Sequence, residues 1–307
     1  MTLDPQIAAL LPALNAAFPR VETMTAPELR AVISQRAQAL QNPEPVGKVV
    51  DQRLPGADGD INVRIYWPSI SFDAMPIIVF AHGGGFVFCD LDSHDDLCRA
   101  MTNGVGAIVV SVDYRLAPEF PWPAAVDDVY AVTDWAARHA GELGADATRL
   151  VVAGDSAGGN LAAVTALVAR DRGRPAIAGQ LLIYPAIAAD FGTQSYRDFG
   201  TGYYNTATAM AWYWDQYVPN RADRSHFAAS PLRARLAGLP PAVVITAGFD
   251  PLRSEGESYA KALAEAGVST VYRNYAGGIH GFMTMPSLDI CAQARRQAWA
   301  DVSRSLE

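Results

Sequence analysis

The chain has 307 residues, half of them hydrophobic and 18% charged, enough apolar material for one large core or a core with a small appendage. Its formal net charge of −8 argues against a protein that grips phosphate backbones, a task that needs surplus Lys and Arg on one face. The N-terminal residues MTLDPQIAALLPALNAAFP carry an acid and a proline where a signal peptide carries basic charge. Their apolar stretches are too short to span a bilayer, so a cytoplasmic location is expected.

Ile7, Leu10, Leu11, Leu14 and Phe18 recur at helical spacing, and Ala31, Val32, Ala37 and Leu40 repeat the pattern after the start signal TAPE. Two amphipathic helices therefore precede the first strand. Eight short apolar, β-branched runs follow: KVVDQRL, INVRIYW, PIIVFAH, AIVVSVDY, RLVVAGD, AGQLLIYP, PAVVITAG and STVYRNY. The first two alternate in polarity around PGADGD, which predicts an antiparallel, half-exposed edge. The later runs are continuously apolar, with helical patterns between them near 93–103, 124–140, 157–171 and 255–266. Strand and helix in alternation predict an α/β fold, a mostly parallel eight-stranded sheet covered on both faces.

Residues 190–225 break this rhythm with Phe191, Tyr196, Phe199, Tyr203, Tyr204, Trp212, Tyr213, Trp214 and Tyr217. So many aromatics in an insertion predict a lid over a pocket, with ordinary core packing as the alternative. The expected division is therefore 1–45 before the first strand, a core of 46–189 and 226–307, and the insertion 190–225 between its halves. Cys89, Cys98 and Cys291 are an odd count without a CxxC pair; with His94 they form at most a loose cluster, and packing thiols are the expectation.

VVAGDSAGGNLAA places Gly154, Ser156 and Gly158 in Gly-x-Ser-x-Gly spacing after a strand and before an Ala- and Leu-rich helix. A sharp strand-to-helix turn strains the serine backbone and aims its hydroxyl outward, and small flanking residues permit the close approach. Taken alone, the spacing also satisfies any tight turn before a helix. Two companions add weight. The first is HGGGF, His82 to Phe86, after the third strand, whose backbone donors suit an oxyanion; Gly83, Gly84 and the N–H of Ala157 are the candidates.

The second is a base and an acid in the order Ser, Asp, His. A serine hydroxyl needs an imidazole to take its proton. His82 lies in the glycine loop, His94 and His139 lie in helical patterns, and His226 ends the insertion. His280, in the glycine-rich YAGGIHGF after the last strand, is the candidate base. Asp250 in AVVITAGFDPLR follows the seventh strand and is the candidate orienting acid. Glu255 and Glu257 are rivals by proximity, although first-turn acids are commonly helix-dipole partners.

The runs HGGGFVFCDLDSHDDLCR, DYRLAPEFPWPAAVDD, GDSAGGNLA, LIYP, DPLR and HGF, collinear from about residue 78 to 283, resemble the hormone-sensitive-lipase-like family, bacterial esterase family IV of the α/β-hydrolases. The resemblance implies an eight-stranded hydrolase core, a helical cap from the N-terminal helices and the 190–225 insertion, and no cofactor. It carries catalytic roles onto Ser156, Asp250 and His280 and oxyanion roles onto Gly83, Gly84 and Ala157. The GDSAG elbow, marked by Asp155, is similar to the larger subgroup acting on short to medium acyl esters, although Asp155 also suits loop amides. Members often read DPLRDEG, and here Ser254 follows Arg253, which puts one local hydrogen bond in question.

Arg115, Pro118 and Glu119 of YRLAPE are expected to brace the loop beneath the site. Phe86, Tyr184, Trp212, Leu252 and Phe282 are candidate substrate contacts. Two other functions share the pattern: hydrolysis of amides or formamides by the same three residues, and a non-catalytic ligand receptor like the plant gibberellin receptors. The second usually lacks the histidine, which is present here as His280. A small-molecule ester is the expected partner, with no nucleic acid and no membrane span. The last strand, with only Arg273 to blunt an open edge, makes a homodimer a further expectation.

Overall fold

A computed structural model describes residues 1–36, 43–70 and 72–307; Ala37 and Leu40 of the second N-terminal helical pattern lie outside the described residues. The eight apolar runs form eight strands: β1 (Lys48–Gly56), β2 (Gly59–Trp67), β3 (Met75–Ala81), β4 (Ile108–Asp113), β5 (Ala145–Asp155), β6 (Gly179–Ile183), β7 (Ala242–Phe249) and β8 (Thr270–Ile279). They build one sheet in the order β1-β2-β4-β3-β5-β6-β7-β8. β2 is antiparallel to both β1 and β4, and all remaining pairs are parallel. The polarity patterns foretell this division. Leu54 is the sole buried residue of the edge strand β1, whereas β3, β6 and β7 are buried along their whole length.

Because successive strand side chains point to opposite faces, β3 feeds two cores at once. Ile77 and Val79 pack with Val126 and Val129 of α4 (Ala124–Leu143) and with Leu161 and Val164 of α5 (Ala157–Arg172). Ile78 and Phe80 pack on the other face with Leu97 and Met101 of α3 (Asp95–Val105) and Ala294 and Ala298 of α9 (Asp289–Ser305). Cys98 and Cys291 are buried in this second core. α8 (Arg253–Glu265) covers β7 through Tyr259 and Leu263.

After β3 the chain crosses to one side to form β4, then returns to the other side of β3 to form β5. Such a reversal opens a crevice at the carboxyl ends of the two strands, where ligands of open α/β sheets bind. The loop beginning at His82 and the turn at Ser156 both leave the sheet there.

Two segments lie above that crevice. Thr25 and Glu28 of TAPE form a reciprocal cap, Thr25 N–H to Glu28 Oε2 at 2.8 Å and Glu28 N–H to Thr25 Oγ1 at 3.4 Å, which starts α2 (Ala26–Arg36). Arg30 on α2 donates to the carbonyls of Val87 and Ala117, both at 2.7 Å, and grips the Glu119 carboxylate. α1 (Pro5–Ala17) is joined to the insertion by its Asn15 side chain, which donates to Gly202 O and accepts from Tyr204 N–H, each at 2.8 Å. The insertion supplies α6 (Gln194–Phe199) and α7 (Ala207–Tyr217), begun by the side-chain caps Thr193 and Thr206. Among the described residues no helix is long and apolar enough to cross a membrane.

Gly104 lies inside α3, where helix propensity alone favours alanine by about 1 kcal/mol. A Cβ there, however, would sit 2.1 Å from the Trp299 ring of α9. We expect packing to win, with Gly104→Ala less stable by about 1–2 kcal/mol in urea denaturation. A stabilised variant would show that the Trp299 ring yields.

Candidate active site

Ser156 joins β5 to α5 with φ 55° and ψ −116°, a conformation that a non-glycine residue holds only under constraint. The constraints are visible. Its N–H donates to Ile183 O at 2.8 Å, and its carbonyl accepts from Asn160 N–H and Ala186 N–H at 3.2 and 3.0 Å. The Asn160 amide then donates to Ala186 O and Ala229 O at 2.7 and 2.9 Å, anchoring the first turn of α5 to two neighbouring loops. A Cβ on Gly158 would lie 1.9 Å from Ala81 O, and one on Gly154 2.2 Å from Gly158 O. The flanking glycines are therefore steric requirements of α5 passing the end of β3.

Asp250 directly follows β7 and His280 directly follows β8, so both emerge at the same sheet edge as Ser156. His280 Nε2 lies 2.9 Å from Ser156 Oγ, and His280 Nδ1 lies 2.7 Å from Asp250 Oδ2. Asp250 is fully buried, and its second oxygen accepts the Leu252 N–H at 2.9 Å. That arrangement leaves the carboxylate oriented toward the imidazole and the imidazole toward the hydroxyl. None of the other four histidines bonds to Ser156. His82 lies under the loop, His94 meets Asp155 at 3.1 Å, His139 bonds Trp135 O, and His226 packs on Trp122 and Phe227.

The rival acids stand elsewhere. Glu257 is exposed, and Glu255 is buried with its carboxyl accepting Ile187 N–H at 2.9 Å. Burial pushes Glu255 well above the usual carboxylate range, against the backbone N–H groups of Ile187 and Ala188. Ser254 closes a local pair with Ser195: its Oγ accepts Ser195 N–H at 3.1 Å, and its N–H donates to Ser195 Oγ at 3.0 Å. Arg115 braces its loop through Asp128 at 2.9 Å and Asp58 at 2.9 Å.

The oxyanion candidates need one correction. Gly83 N–H donates to Asp155 Oδ1 at 2.8 Å, so this donor is already committed. Gly84 and Gly85, at φ 114° and 58°, line the cavity beside Ser156 instead. Among the described residues their N–H groups have no protein acceptor. Ala157, first residue of α5, carries one of the amides a helix start leaves unpaired. The candidate donors beside Ser156 are thus Gly84, Gly85 and Ala157. A run of three glycines does not reveal which peptide is turned inward to a carboxylate.

The cavity above Ser156 has a volume of about 120 Å³. Phe18, Phe88, Tyr204, Asn205, Met210 and Tyr213 form its upper walls. None of the five candidate substrate contacts reaches it. Phe86 is buried and stacks on Tyr217 with ring centroids 3.7 Å apart. Tyr184 and Phe282 lie behind His280 in the core, with the Tyr184 ring 4.8 Å from the imidazole. Leu252 is buried with its N–H spent on Asp250, and half-buried Trp212 packs on Tyr213 at 5.7 Å. The insertion contributes Tyr204, Asn205, Met210 and Tyr213 to the lining, Phe18 comes from the end of the first N-terminal helical pattern, and Phe88 comes from the loop after HGGG. Burial pushes the Cys89 thiol in the cavity wall up to about 12, so it is protonated at neutral pH.

A family model described as alpha/beta hydrolase fold matches residues 78–284. Carboxylesterase NlhH of Mycobacterium tuberculosis is 40% identical over 311 residues, covering 98% of this chain and 97% of that one. Ethyl acetate hydrolase of Pseudomonas putida is 35% identical, covering 94% of each chain. Among solved structures, the hyperthermophilic esterase from the archaeon Pyrobaculum calidifontis superposes with a TM-score of 0.95 at 42% identity, covering 100% of both chains. With the elbow geometry, the sheet order and these relatives in agreement, the chain belongs to the hormone-sensitive-lipase-like, family IV branch of the α/β-hydrolases.

Proposed function

We propose that this carboxylic ester hydrolase cleaves short to medium acyl esters through an acyl-enzyme, with Ser156 as nucleophile, His280 as general base and Asp250 as orienting acid. The observation that carries the reading is the continuous chain from Ser156 Oγ through the imidazole to the buried Asp250 carboxylate, at 2.9 and 2.7 Å. In the first step His280 Nε2 takes the hydroxyl proton as Ser156 Oγ attacks the ester carbonyl. Asp250 holds the proton on Nδ1 and stabilises the imidazolium. The carbonyl oxygen, now negative, is received by the N–H groups of Gly84, Gly85 and Ala157, worth about 3–4 kcal/mol each in comparable sites.

His280 then returns its proton to the alcohol as that leaves, and next activates a water that releases the acid. A receptor without catalysis would have no use for an imidazole held in this hydrogen-bonded geometry. Ser156→Ala is expected to abolish turnover of p-nitrophenyl acetate, and activity near wild type would overturn the assignment.

Short substrates are supported by the size of the cavity. About 120 Å³ is far below the roughly 300–1,000 Å³ of sites for drug-sized ligands. The activity named for the P. putida relative points the same way. In a p-nitrophenyl series from acetate to palmitate we expect the optimum at short to medium chains. Tyr213→Ala, which opens the roof, should shift it to longer ones. A wild-type palmitate optimum would refute the acyl preference.

The segments before β1 and residues 190–225 act in this reading as a cap on the core formed by 46–189 and 226–307. Support comes from the Asn15 bonds and from the edge-to-face contact of Phe18 and Tyr204 at 5.0 Å. Three unpaired thiols accord with a reducing, cytoplasmic location. A homodimer through the edge of β8 belongs to the same reading. Arg273, the one cation of that strand, is bound to Asp301 at 2.5 Å and leaves the edge unguarded. Light scattering over a concentration series should show the dimer, and monomer throughout would remove it.

A further inference from the structure

Asp155, next to the nucleophile, is 4% exposed, and no step of the mechanism above uses its carboxylate. Its Oδ1 accepts the Gly83 N–H at 2.8 Å and faces His94 Nε2 at 3.1 Å. Oδ2 lies so close to Gly83 that a Cβ there would come within 2.6 Å. Gly83 is the second residue of the loop from β3 to α3, and His94, 5% exposed, is the N-cap of α3 at its end. One carboxylate on β5 thus ties down both ends of this loop. Between those ends lie Gly84, Gly85, Phe88 and Cys89, all in the cavity wall.

Ser93 Oγ lies 2.7 Å from Asp90 O and 3.0 Å from His94 Nδ1, which holds the ring with its Nε2 facing the Asp155 carboxylate. Burial by itself would raise Asp155, yet the His94 charge and hydrogen bond and the Gly83 N–H together hold it below the usual carboxylate range. His82 holds the following peptide, its Nδ1 2.6 Å from Gly83 O. Burial, and then the His94 charge, bring His82 down to about 4, so it is neutral.

We propose that the His94–Asp155 contact is a positioning device for the oxyanion loop: it fixes Gly83, and through Gly83 the N–H groups of Gly84 and Gly85, relative to Ser156. The inference rests on the reading of Gly84 and Gly85 as oxyanion donors. A hole of this kind works only if its donors are oriented before charge develops, and a loose peptide forfeits much of their value. Besides His82, the titratable groups facing the pair are Cys89 and Asp90 of the loop, Cys98 of α3, Tyr114 after β4 and Tyr184 after β6. Burial pushes both thiols and both phenols up, and Asp95, the residue after His94, is a further titratable neighbour beside Cys98.

The test measures kcat and KM for p-nitrophenyl acetate from pH 5 to 9 in wild type, His94→Ala and His94→Gln, with thermal melting of each. His94→Ala should lower kcat about 10–100-fold at pH 7 with KM within about twofold, since one oxyanion donor is worth about 100–1,000-fold. Without the His94 side chain, burial raises the Asp155 carboxyl, so the ionised form that holds Gly83 is lost at higher pH than in wild type. The acid limb of kcat should therefore move to higher pH. His94→Gln, whose amide can still donate to Asp155, should recover most of kcat at pH 8 and retain the displaced limb.

Unchanged kcat, a loss confined to KM, or a pH profile superimposable on wild type in both variants would overturn the proposal. If His94→Ala does not fold, the His94→Gln profile decides alone: a displaced acid limb supports the proposal and a wild-type one overturns it. Wild-type enzyme without esterase turnover would instead sink the parent reading, which keeps the two failures apart.

Discussion

The contact on which the rest depends is the passage of α5 across the end of β3. Gly158 lies so close to the Ala81 carbonyl that no side chain fits between them, and this closeness forces Ser156 into its positive-φ turn. Held from behind by Ile183 O, the turn has only one direction left for its hydroxyl, out of the carboxyl edge of the sheet. Strain of this type costs about 1–3 kcal/mol and persists only when surrounding bonds over-determine it. Here Ile183, Ala186, Asn160 and Ala229 supply those bonds.

The same crossing brings the end of β3 beside the end of β5, so the glycine loop and the nucleophile leave the sheet as neighbours. Asp155 takes advantage of the adjacency, because a carboxylate one residue before the turn reaches the first peptide of the loop. On the other side of the serine, the parallel pairing of β7 with β8 delivers Asp250 and His280 to the same edge. Buried acids in this region divide sharply by their partners. Asp155 faces an imidazole and is held below the usual carboxylate range, whereas Glu255, met by the backbone N–H groups of Ile187 and Ala188, is pushed well above it. Local burial is similar, and the neighbour decides.

Above the edge, the cavity is closed by groups from three distant parts of the chain: Phe18 after α1, Phe88 in the glycine loop, and Tyr204 to Tyr213 in the insertion. Tyr213 lies against Gly85 so tightly that a Cβ there would fall 2.5 Å from its ring. The roof and the glycine loop are therefore one packed unit, and the shape of the pocket is coupled to the position of that loop.

The eight strands, the antiparallel edge and the Ser-Asp-His order were all legible in the sequence. Each is written in local patterns: continuous or alternating apolar runs, a strand–glycine–serine–glycine–helix junction, and polar residues just past strand ends. Parallel strands bring such residues to one edge whatever the details, so Ser156, Asp250 and His280 meet as chain order foretold. The tertiary structure alone decided which glycine amides remain free, that Gly83 is turned to Asp155, and that Phe86, Tyr184, Trp212, Leu252 and Phe282 stand behind the cavity wall. Those outcomes depend on the direction of a peptide or side chain relative to partners far along the chain. Neighbours in sequence point opposite ways, and proximity to a motif carries no information about direction.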